Sequence, residues 1–495
     1  MISEREFLNH CNMLCDICSE NQASYVISTI VDSRLIELYA CENCATNRKN
    51  SFIQQESKKD HQKLICSYCL FELPIDKSFY NLPLLGCPFC YDQFHKELKP
   101  LLLRIHGSTK HCGKFSVKSD EQILKRSIKI QPFSRSSVSI RKAQWMSGRG
   151  PNFDVVVSSR IRLARNISGY PFCNLAVQSE LYEIAEIVEQ ALADIAKQNY
   201  FPLNNAYVVD IDELDDVDRA FLFERHLISQ DLIKKRFSRR AVIDEKEIIS
   251  IMINEEDHIR LQVIDSGLQI DKLWNIINEI DDRLGDRVRY AFSDEWGFLT
   301  ACPSNLGTGL RVSIMLHLPA LSMTKEGKRI LSSVANMGYA VRGIYGEGTK
   351  NTGAFYQISN DATLGQSEQE IIDQMQSVAM QIITYEREER QKLLERDRMK
   401  LEDAIFRAYG ILNYAKSLSS DESLELLSWI ILGINIGLIP NLSHVNVGSL
   451  LVLTRSAHLQ KMEGKELDLS TQNINRAKII KTFLSAKNQT IVQSN

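Results

Sequence analysis

The sequence predicts an α+β central domain whose sheet is at least partly antiparallel, preceded by small cysteine-rich modules and followed by a helical C-terminal region. Three observations carry this expectation. Ten of the twelve cysteines lie before position 113. After Pro151 short β-branched runs alternate with amphipathic stretches, and two of the runs are separated only by Asn254–Asp257, too few residues for the crossover helix that parallel neighbours need. Beyond Ser367-x-x-Glu370, which has the form of a capping box, the pattern is helical to about Leu484.

Strands are expected at Asp154–Ser158, Ile248–Ile253, His258–Ile264, Gly309–Leu316 and Ala340–Ile344, and helices at Ser179–Lys197, Leu268–Leu284 and Lys325–Met337. The charged stretch Glu386–Asp403 reads as a solvated helix face. The apolar run Leu424–Ile439, interrupted by Glu425 and Asn435, reads as a buried helix, since it falls short of the roughly 20 residues that span a bilayer.

At 495 residues the chain exceeds what one hydrophobic core usually serves. Four segments are expected: a cysteine-rich region 1–117, a linker 118–147, a central domain 148–385 and a helical region 386–495. A net charge of −3 with 44% apolar and 24% charged residues is ordinary soluble composition, so any basic site must be local, and neither a membrane nor a nucleic-acid partner is expected. Met1–His10 carries three charges and no apolar signal-peptide core, which predicts a cytoplasmic protein. From Lys118 to Gly150 eight Lys and Arg residues stand against Asp120 and Glu121, with serines between, as in a flexible basic tether.

Cys15-x-x-Cys18 and Cys41-x-x-Cys44 are 22 residues apart, and Cys66-x-x-Cys69 and Cys87-x-x-Cys90 are 17 apart. Each two-residue gap lets a tight turn aim two sulfurs at one ion, and two such turns close a tetrahedron around Zn²⁺ at about 2.3 Å per sulfur. Two structural Zn²⁺ sites are therefore expected; the alternative is a disulfide framework, in a chain that nothing marks as secreted. Cys11, Cys112, His95, His106 and His111 lie nearby and are left out of the ligand set.

No phosphate-binding P-loop is present: Gly343 and Gly348 have its spacing, but Thr349-Lys350 stand in reversed order. Arginines offer another clamp. In Ser158-Ser159-Arg160-Ile161-Arg162 the two arginines alternate and so share one face of an extended segment. Arg260, Arg311 and Arg342 follow apolar strands or glycine-rich turns in the same manner, and five guanidiniums can neutralise a triphosphate and a transferring phosphoryl group. Asn254-Glu255-Glu256-Asp257-His258-Ile259-Arg260 crowds three carboxylates, and Cys302-Pro303-Ser304-Asn305-Leu306-Gly307-Thr308-Gly309-Leu310-Arg311 sets a thiol and two glycines before an arginine.

From Asp154 to Glu370 these motifs, with Arg342-Gly343-Ile344-Tyr345-Gly346-Glu347-Gly348, resemble the phosphagen (guanidino) kinases. Within that group Trp145-Met-Ser147, Phe223-x-x-His226-Leu-Ile-Ser229 and Phe406-Arg-Ala-Tyr409-Gly-Ile-Leu412 are similar to the bacterial protein-arginine kinases of the McsB type. Residues 11–115, including Leu101-Leu-Leu-Arg-Ile-His106-Gly107, resemble their zinc-binding activator, McsA, without the charged helical hairpin that normally follows.

The resemblance implies a largely antiparallel guanido-kinase domain that transfers the γ-phosphate of ATP, with Mg²⁺ on the nucleotide, to arginine in proteins. It implies Glu256 as base and Glu347 as its partner across the flat guanidinium. It places Ser158–Arg162, His226, Arg260, Arg311-Val312-Ser313-Ile314-Met315 and Arg342–Glu347 at the nucleotide, and Cys302 as a reactive thiol whose pKa neighbouring donors and cations lower. The implied setting is a dimer that marks proteins in a stress response, with a repressor and a chaperone–protease complex as partners. Relatives read phosphoarginine through a C-terminal Arg-Asp-x-x-Arg motif. Gln472-Asn473-Ile474-Asn475-Arg476-Ala477 replaces its first Arg and Asp by amides, so weak or absent feedback is expected. A small-guanidine kinase and a catalytically idle zinc-binding adaptor are the other two readings.

Overall fold

The computed structural model of the chain describes residues 4–6, 25–31, 34–40, 64–74, 84–116, 131–132, 144–197, 203–234, 237–343, 352–440, 442 and 444–485. The chain divides into two compact units, Met1–Leu64 and Ile65–Asn495. The first carries a three-stranded antiparallel sheet of Glu4–Glu6, Tyr25–Val31 and Arg34–Ala40. Cys15, Cys18, Cys41 and Cys44, expected to hold the first metal, lie outside the described residues.

The second unit is organised by a nine-stranded sheet: β1 (Gln131–Pro132), β2 (Val156–Arg165), β3 (Tyr207–Asp210), β4 (Arg240–Ile243), β5 (Ile249–Ile253), β6 (Ile259–Ser266), β7 (Leu310–His317), β8 (Tyr339–Gly343) and β9 (Phe355–Asn360). In space they run β8-β9-β7-β2-β6-β5-β4-β3-β1. Every pairing is antiparallel except that of β1 with β3. Four expected strands appear within two residues of their expected starts. The remaining one, expected at Asp154–Ser158, instead runs on to Arg165 as β2, because its arginines sit on a face of the sheet that need not be apolar. Within the expected tether, Gln131–Pro132 adds an edge strand beside Tyr207–Val208, and Trp145 and Met146 are buried with Ile264 and Val452.

One face of the sheet is the core. Ile161, Leu163, Leu261, Val263, Val312 and Ile314 pack there in a single apolar cluster with α1 (Gln178–Lys197), α2 (Ile270–Gly285), α3 (Lys325–Asn336) and the first half of α4 (Glu368–Arg396). α4 opens on the expected capping box: the Ser367 hydroxyl accepts from the Glu370 amide, and the Glu370 carboxylate accepts from the Ser367 amide at 2.7 Å. A second cluster joins α5 (Arg398–Tyr414), α6 (Ser420–Asn435), α7 (His444–Leu453) and α9 (Leu469–Ser485) to Ala320 and Phe355 of the central domain; α8 (Ser456–Glu463) lies between the last two.

The reading of Glu386–Asp403 as a wholly solvated face needs correction. Glu386 is fully buried and accepts from the amides of Ala320 (3.2 Å) and Leu321 (3.0 Å) and from Arg390 Nε (2.7 Å). Its charge satisfies the first turn of the short helix Pro319–Met323. The run read as one helix to Ile439 ends at Asn435, where Gly437 turns the chain with φ +77°. Among the described residues no helix is long and apolar enough to cross a membrane.

Candidate active site

The strand register decides where the arginines point. Arg162 lies directly opposite Arg311 on β7, Arg160 opposite Ser313, and Ala164 opposite Arg260 on β6. Arg342 on β8 lies opposite Gln357, which in turn lies opposite Met315. Opposed residues in antiparallel strands share a side, and alternate residues along a strand share one too. Arg160, Arg162, Arg260, Arg311 and Arg342 therefore all project from the face opposite the core, together with Ser158, Ser313 and Met315. Ser159, Ile161, Val312 and Ile314, expected at the nucleotide, point the other way: the Ser159 hydroxyl donates to Gly267 O at 2.7 Å, and the three apolar side chains lie in the core. Gly343 ends β8; Ile344, Tyr345, Gly346 and Glu347 lie outside the described residues.

The partners of Arg160 are neutral, Ser313 Oγ at 3.3 Å and Gln357 Oε1 at 3.1 Å, and Arg311 donates to Ser359 Oγ at 3.1 Å. Burial, with the charges of Arg311 and Arg260, brings the Arg160 pKa down to about 10. Burial and three neighbouring arginines push Arg162 well below its ordinary value, and its Nε has no hydrogen-bond partner. Cations crowded in this way are stabilised by an anion, and a polyphosphate supplies one.

A rigid acidic turn closes the other side. Asn254 adopts φ +58° and ties the β5–β6 hairpin down through Nδ2, which donates to Leu181 O (2.7 Å) and Ser238 O (2.9 Å). Glu255 is buried against Arg260 at 2.9 Å. Asp257 accepts from Asn166 Nδ2 (2.7 Å) and the Ala301 amide (2.8 Å). His258 Nδ1 accepts from the Ile167 amide at 3.0 Å, so Nε2 carries the proton and donates to Pro171 O at 2.8 Å. Burial lowers the His258 pKa to about 4, which keeps the ring neutral.

Glu256, at the apex, stays 24% exposed, accepts from Asn305 Nδ2 at 2.9 Å and lies 3.5 Å from Arg260 Nη2. Burial, then the charge of Asp257, raises its pKa to about 7 against the pull of Arg260. A half-open carboxyl that titrates near neutrality beside a field of arginines is suited to general base work.

Cys66, Cys69, Cys87 and Cys90 converge as thiols, with all four sulfurs within 4.8 Å of one another. The pairs Cys66–Cys87, Cys69–Cys90 and Cys87–Cys90 are 3.7, 3.5 and 3.8 Å apart. A tetrahedron of sulfurs about 2.3 Å from Zn²⁺ has edges of about 3.8 Å, so these residues fit that ion. His95, His106 and His111 bond elsewhere, to Glu295, Pro303 O and Lys114 O.

Family models match three stretches: the ATP:guanido phosphotransferase C-terminal catalytic domain over residues 183–389, the protein-arginine kinase McsB C-terminal domain over 398–494, and the McsA central zinc-finger domain over 62–113. A protein-arginine kinase of Halothermothrix orenii is 44% identical over 343 residues, 69% of this chain and 97% of its own. One of Desulforamulus reducens is 41% identical over 352 residues, 71% of this chain and 98% of its own.

The chain belongs to the protein-arginine kinase family.

A duplicated taurocyamine kinase of Schistosoma mansoni, solved with bound transition-state analog components, superposes with a TM-score of 0.50 at 23% identity over 63% of this chain and 42% of its own, a likeness of fold alone. The protein-arginine kinase relatives align over about seven-tenths of this chain, so the fused zinc region is additional to them.

In this family member His226 stands at φ +59°, its ring edge-on to Trp145 at 5.0 Å and its carbonyl accepting from Gln262 Nε2 at 2.6 Å. Burial and the charges of Arg160, Arg455 and Arg162 hold its pKa well down, so the imidazole is neutral. Cys302 corrects an expectation. Its thiol pKa is raised, by burial first and by the charge of Glu256 second, despite Ser304 Oγ at 3.1 Å.

Sequence reasoning quoted Asp257 and Asn305 within motifs but gave them no role, and did not name Asn166; their side chains join segments 44 to 133 residues apart. An amide beside an acid-rich turn gives no local signal of that kind. At the C-terminus Arg476 is buried and bonds Thr454 O (2.8 Å), Leu418 O (2.8 Å) and Asn473 Oδ1 (2.6 Å), a packing role inside the helical region.

Proposed function

We propose that the protein transfers the γ-phosphoryl group of ATP to arginine side chains of other proteins, and that its zinc-binding region serves that reaction. The observation that carries the reading is the single sheet face bearing Arg160, Arg162, Arg260, Arg311 and Arg342, with Glu256 at its edge. The names of its relatives and the fused zinc-finger region support a protein as acceptor.

Guanidinium is protonated at neutral pH, with a pKa above about 12, and is a poor nucleophile. Glu256 takes an N–H proton while Glu347 aligns the opposite edge of the plane. The freed nitrogen lone pair forms the N–P bond as the bond from the γ-phosphorus to the β,γ-bridging oxygen breaks, and its electron pair leaves on ADP. The arginine face neutralises the phosphate charge throughout, and Mg²⁺ accompanies the nucleotide with little protein ligation. Segments 1–117, 118–147, 148–385 and 386–495 would then be activator, tether, kinase and helical region, with a second Zn²⁺ on Cys15, Cys18, Cys41 and Cys44. A cytoplasmic dimer acting with a repressor and a chaperone–protease complex completes the proposal.

The test is incubation with ATP and either a protein mixture or free arginine and creatine, read by mass spectrometry that preserves acid-labile N-phosphate. Phosphoarginine in proteins is expected. Phosphorylation of the free compounds alone would establish a small-guanidine kinase. Full biological activity in a Glu256→Gln variant would favour the idle adaptor.

A further inference from the structure

The Cys66–Cys90 ribbon and the helix after it, His95–His106, grip one short segment of the kinase domain, Thr300–Pro303. The buried Tyr91 hydroxyl donates to Thr300 O at 2.8 Å. The Leu85 amide donates to Ala301 O at 2.8 Å. His106 Nδ1 accepts from the Thr363 amide at 3.3 Å, so its Nε2 carries the proton and donates to Pro303 O at 2.9 Å. Three carbonyls within four residues are thus held from the ribbon side.

The same segment also holds the acidic turn. The Ala301 amide donates to Asp257, next in sequence to Glu256, and Asn305, whose amide bonds Cys302 O at 3.0 Å, donates its side-chain N–H to Glu256 itself. Thr300 Oγ1 donates to Cys302 O at 2.8 Å and braces the bend between the two sets of bonds. The path from ribbon to base is short: Tyr91 follows the ligand Cys90 directly, Thr300 adjoins Ala301, and Ala301 bonds Asp257.

The contact is built for rigidity. Tyr91 lies edge-on to Trp296 at 5.5 Å, and His95 stacks on the same indole at 4.7 Å. A Cβ on Gly86 would come within 2.5 Å of Leu175 Cδ1 and 2.7 Å of Cys69 Sγ, so ribbon and kinase domain meet without slack.

Building on the kinase reading, we infer that the ribbon is the wall of the guanidine-acceptor side, and that Tyr91 and His106 are positioning residues which set Glu256 and Cys302 through the Thr300–Asn305 segment. A misplacement on the order of 1 Å at the reacting centre costs about a hundredfold in rate. Loosening one of two braces is therefore expected to lower kcat about tenfold or more while leaving nucleotide binding, which rests on the arginine face as a whole, unchanged.

The experiment uses the full zinc-loaded chain with Tyr91→Phe, which removes one oxygen from a packed ring, and His106→Leu, with His106→Gln as the variant that restores a donor. Expected are a lower kcat at unchanged ATP KM, a displaced acid limb of the kcat–pH profile, faster iodoacetamide labelling at the Cys302 peptide, and partial recovery in His106→Gln. Labelling reads the segment directly and needs no turnover, so a wild type that phosphorylated nothing would sink the kinase reading and leave this one standing. Unchanged labelling and kcat in both Tyr91→Phe and His106→Leu would overturn the inference. So would a weakening of ATP binding that tracks a lowered unfolding temperature, the mark of a merely structural contact.

Discussion

Arg162 and Arg165 lie three residues apart on β2 and face opposite sides of the sheet. Arg165 is fully buried; it bonds Asp281 through Nε at 3.0 Å and Nη2 at 2.8 Å, and its guanidinium lies 3.5 Å from the centre of the Phe298 ring. Arg162 lies among Arg160, Arg260 and Arg311 with its Nε unsatisfied. The same residue type on the same strand is thus neutralised on one face and left in like-charged company on the other. An arginine kept for stability brings its own carboxylate; an arginine kept for a ligand leaves that charge to the ligand.

The largest expected effect breaks this contrast at its functional end. Arg162→Gln should lower kcat/KM for ATP by about a thousandfold, since it removes charge stabilisation from the transferring phosphoryl group. Urea unfolding should be unchanged or slightly improved, because a like-charge repulsion goes with it; destabilisation comparable to that of Arg165→Gln would erase the distinction. For Arg165→Gln, which leaves the buried Asp281 to Lys114, the expected loss is about 2–3 kcal/mol in the same assay. ATP affinity at a temperature where that variant is folded should be preserved.

How far the two faces were legible in sequence follows from their chemistry. The alternation of Arg160 and Arg162 announced a shared side, and apolar runs announced the strands that carry Arg260, Arg311 and Arg342. The strands β3, β4 and β9 were not legible: each is four to six residues long and carries no pattern longer than one pair of alternations. The core-facing side chains of Ile161, Val312 and Ile314 were grouped with the nucleotide by motif, although the period of two that aims Arg160 and Arg162 outward turns them inward. The upward shift of the Cys302 thiol comes from burial first and then from Glu256, 46 positions away in sequence, and no local pattern reports either.

The acidic side of the comparison can be sharpened by pH. Burial raises the Glu256 pKa to about 7, and a base must be unprotonated, so kcat should be level above that pH and fall tenfold per unit below it. Glu256→Gln should abolish the limb together with the activity. A level profile down to pH 5 would assign the proton to another group.

Phosphoarginine should leave the rate unchanged, because at the C-terminal motif Gln472 and Asn473 supply no charge and Arg476 is committed to Thr454, Leu418 and Asn473. Titration calorimetry with free phosphoarginine checks this; affinity comparable to that of an Arg-Asp-x-x-Arg relative would refute it. The smallest effect is expected for Cys302→Ala. A thiol held protonated by burial and by Glu256 acts mainly by packing, so kcat should fall less than about tenfold and wild-type alkylation at pH 7 should be slow.

Glu386 has one more implication. Its carboxylate is the acceptor for two amides of the central domain, yet it sits midway along a helix that continues into the C-terminal bundle. A chain cut just before this residue would bury two donors without a mate and forfeit the Arg390 guanidinium that bonds Asp154 O at 3.0 Å. The bundle is therefore not an accessory that could be trimmed or exchanged between relatives as a cassette; a graft would have to begin upstream of Ser367 and carry the whole of that helix with it.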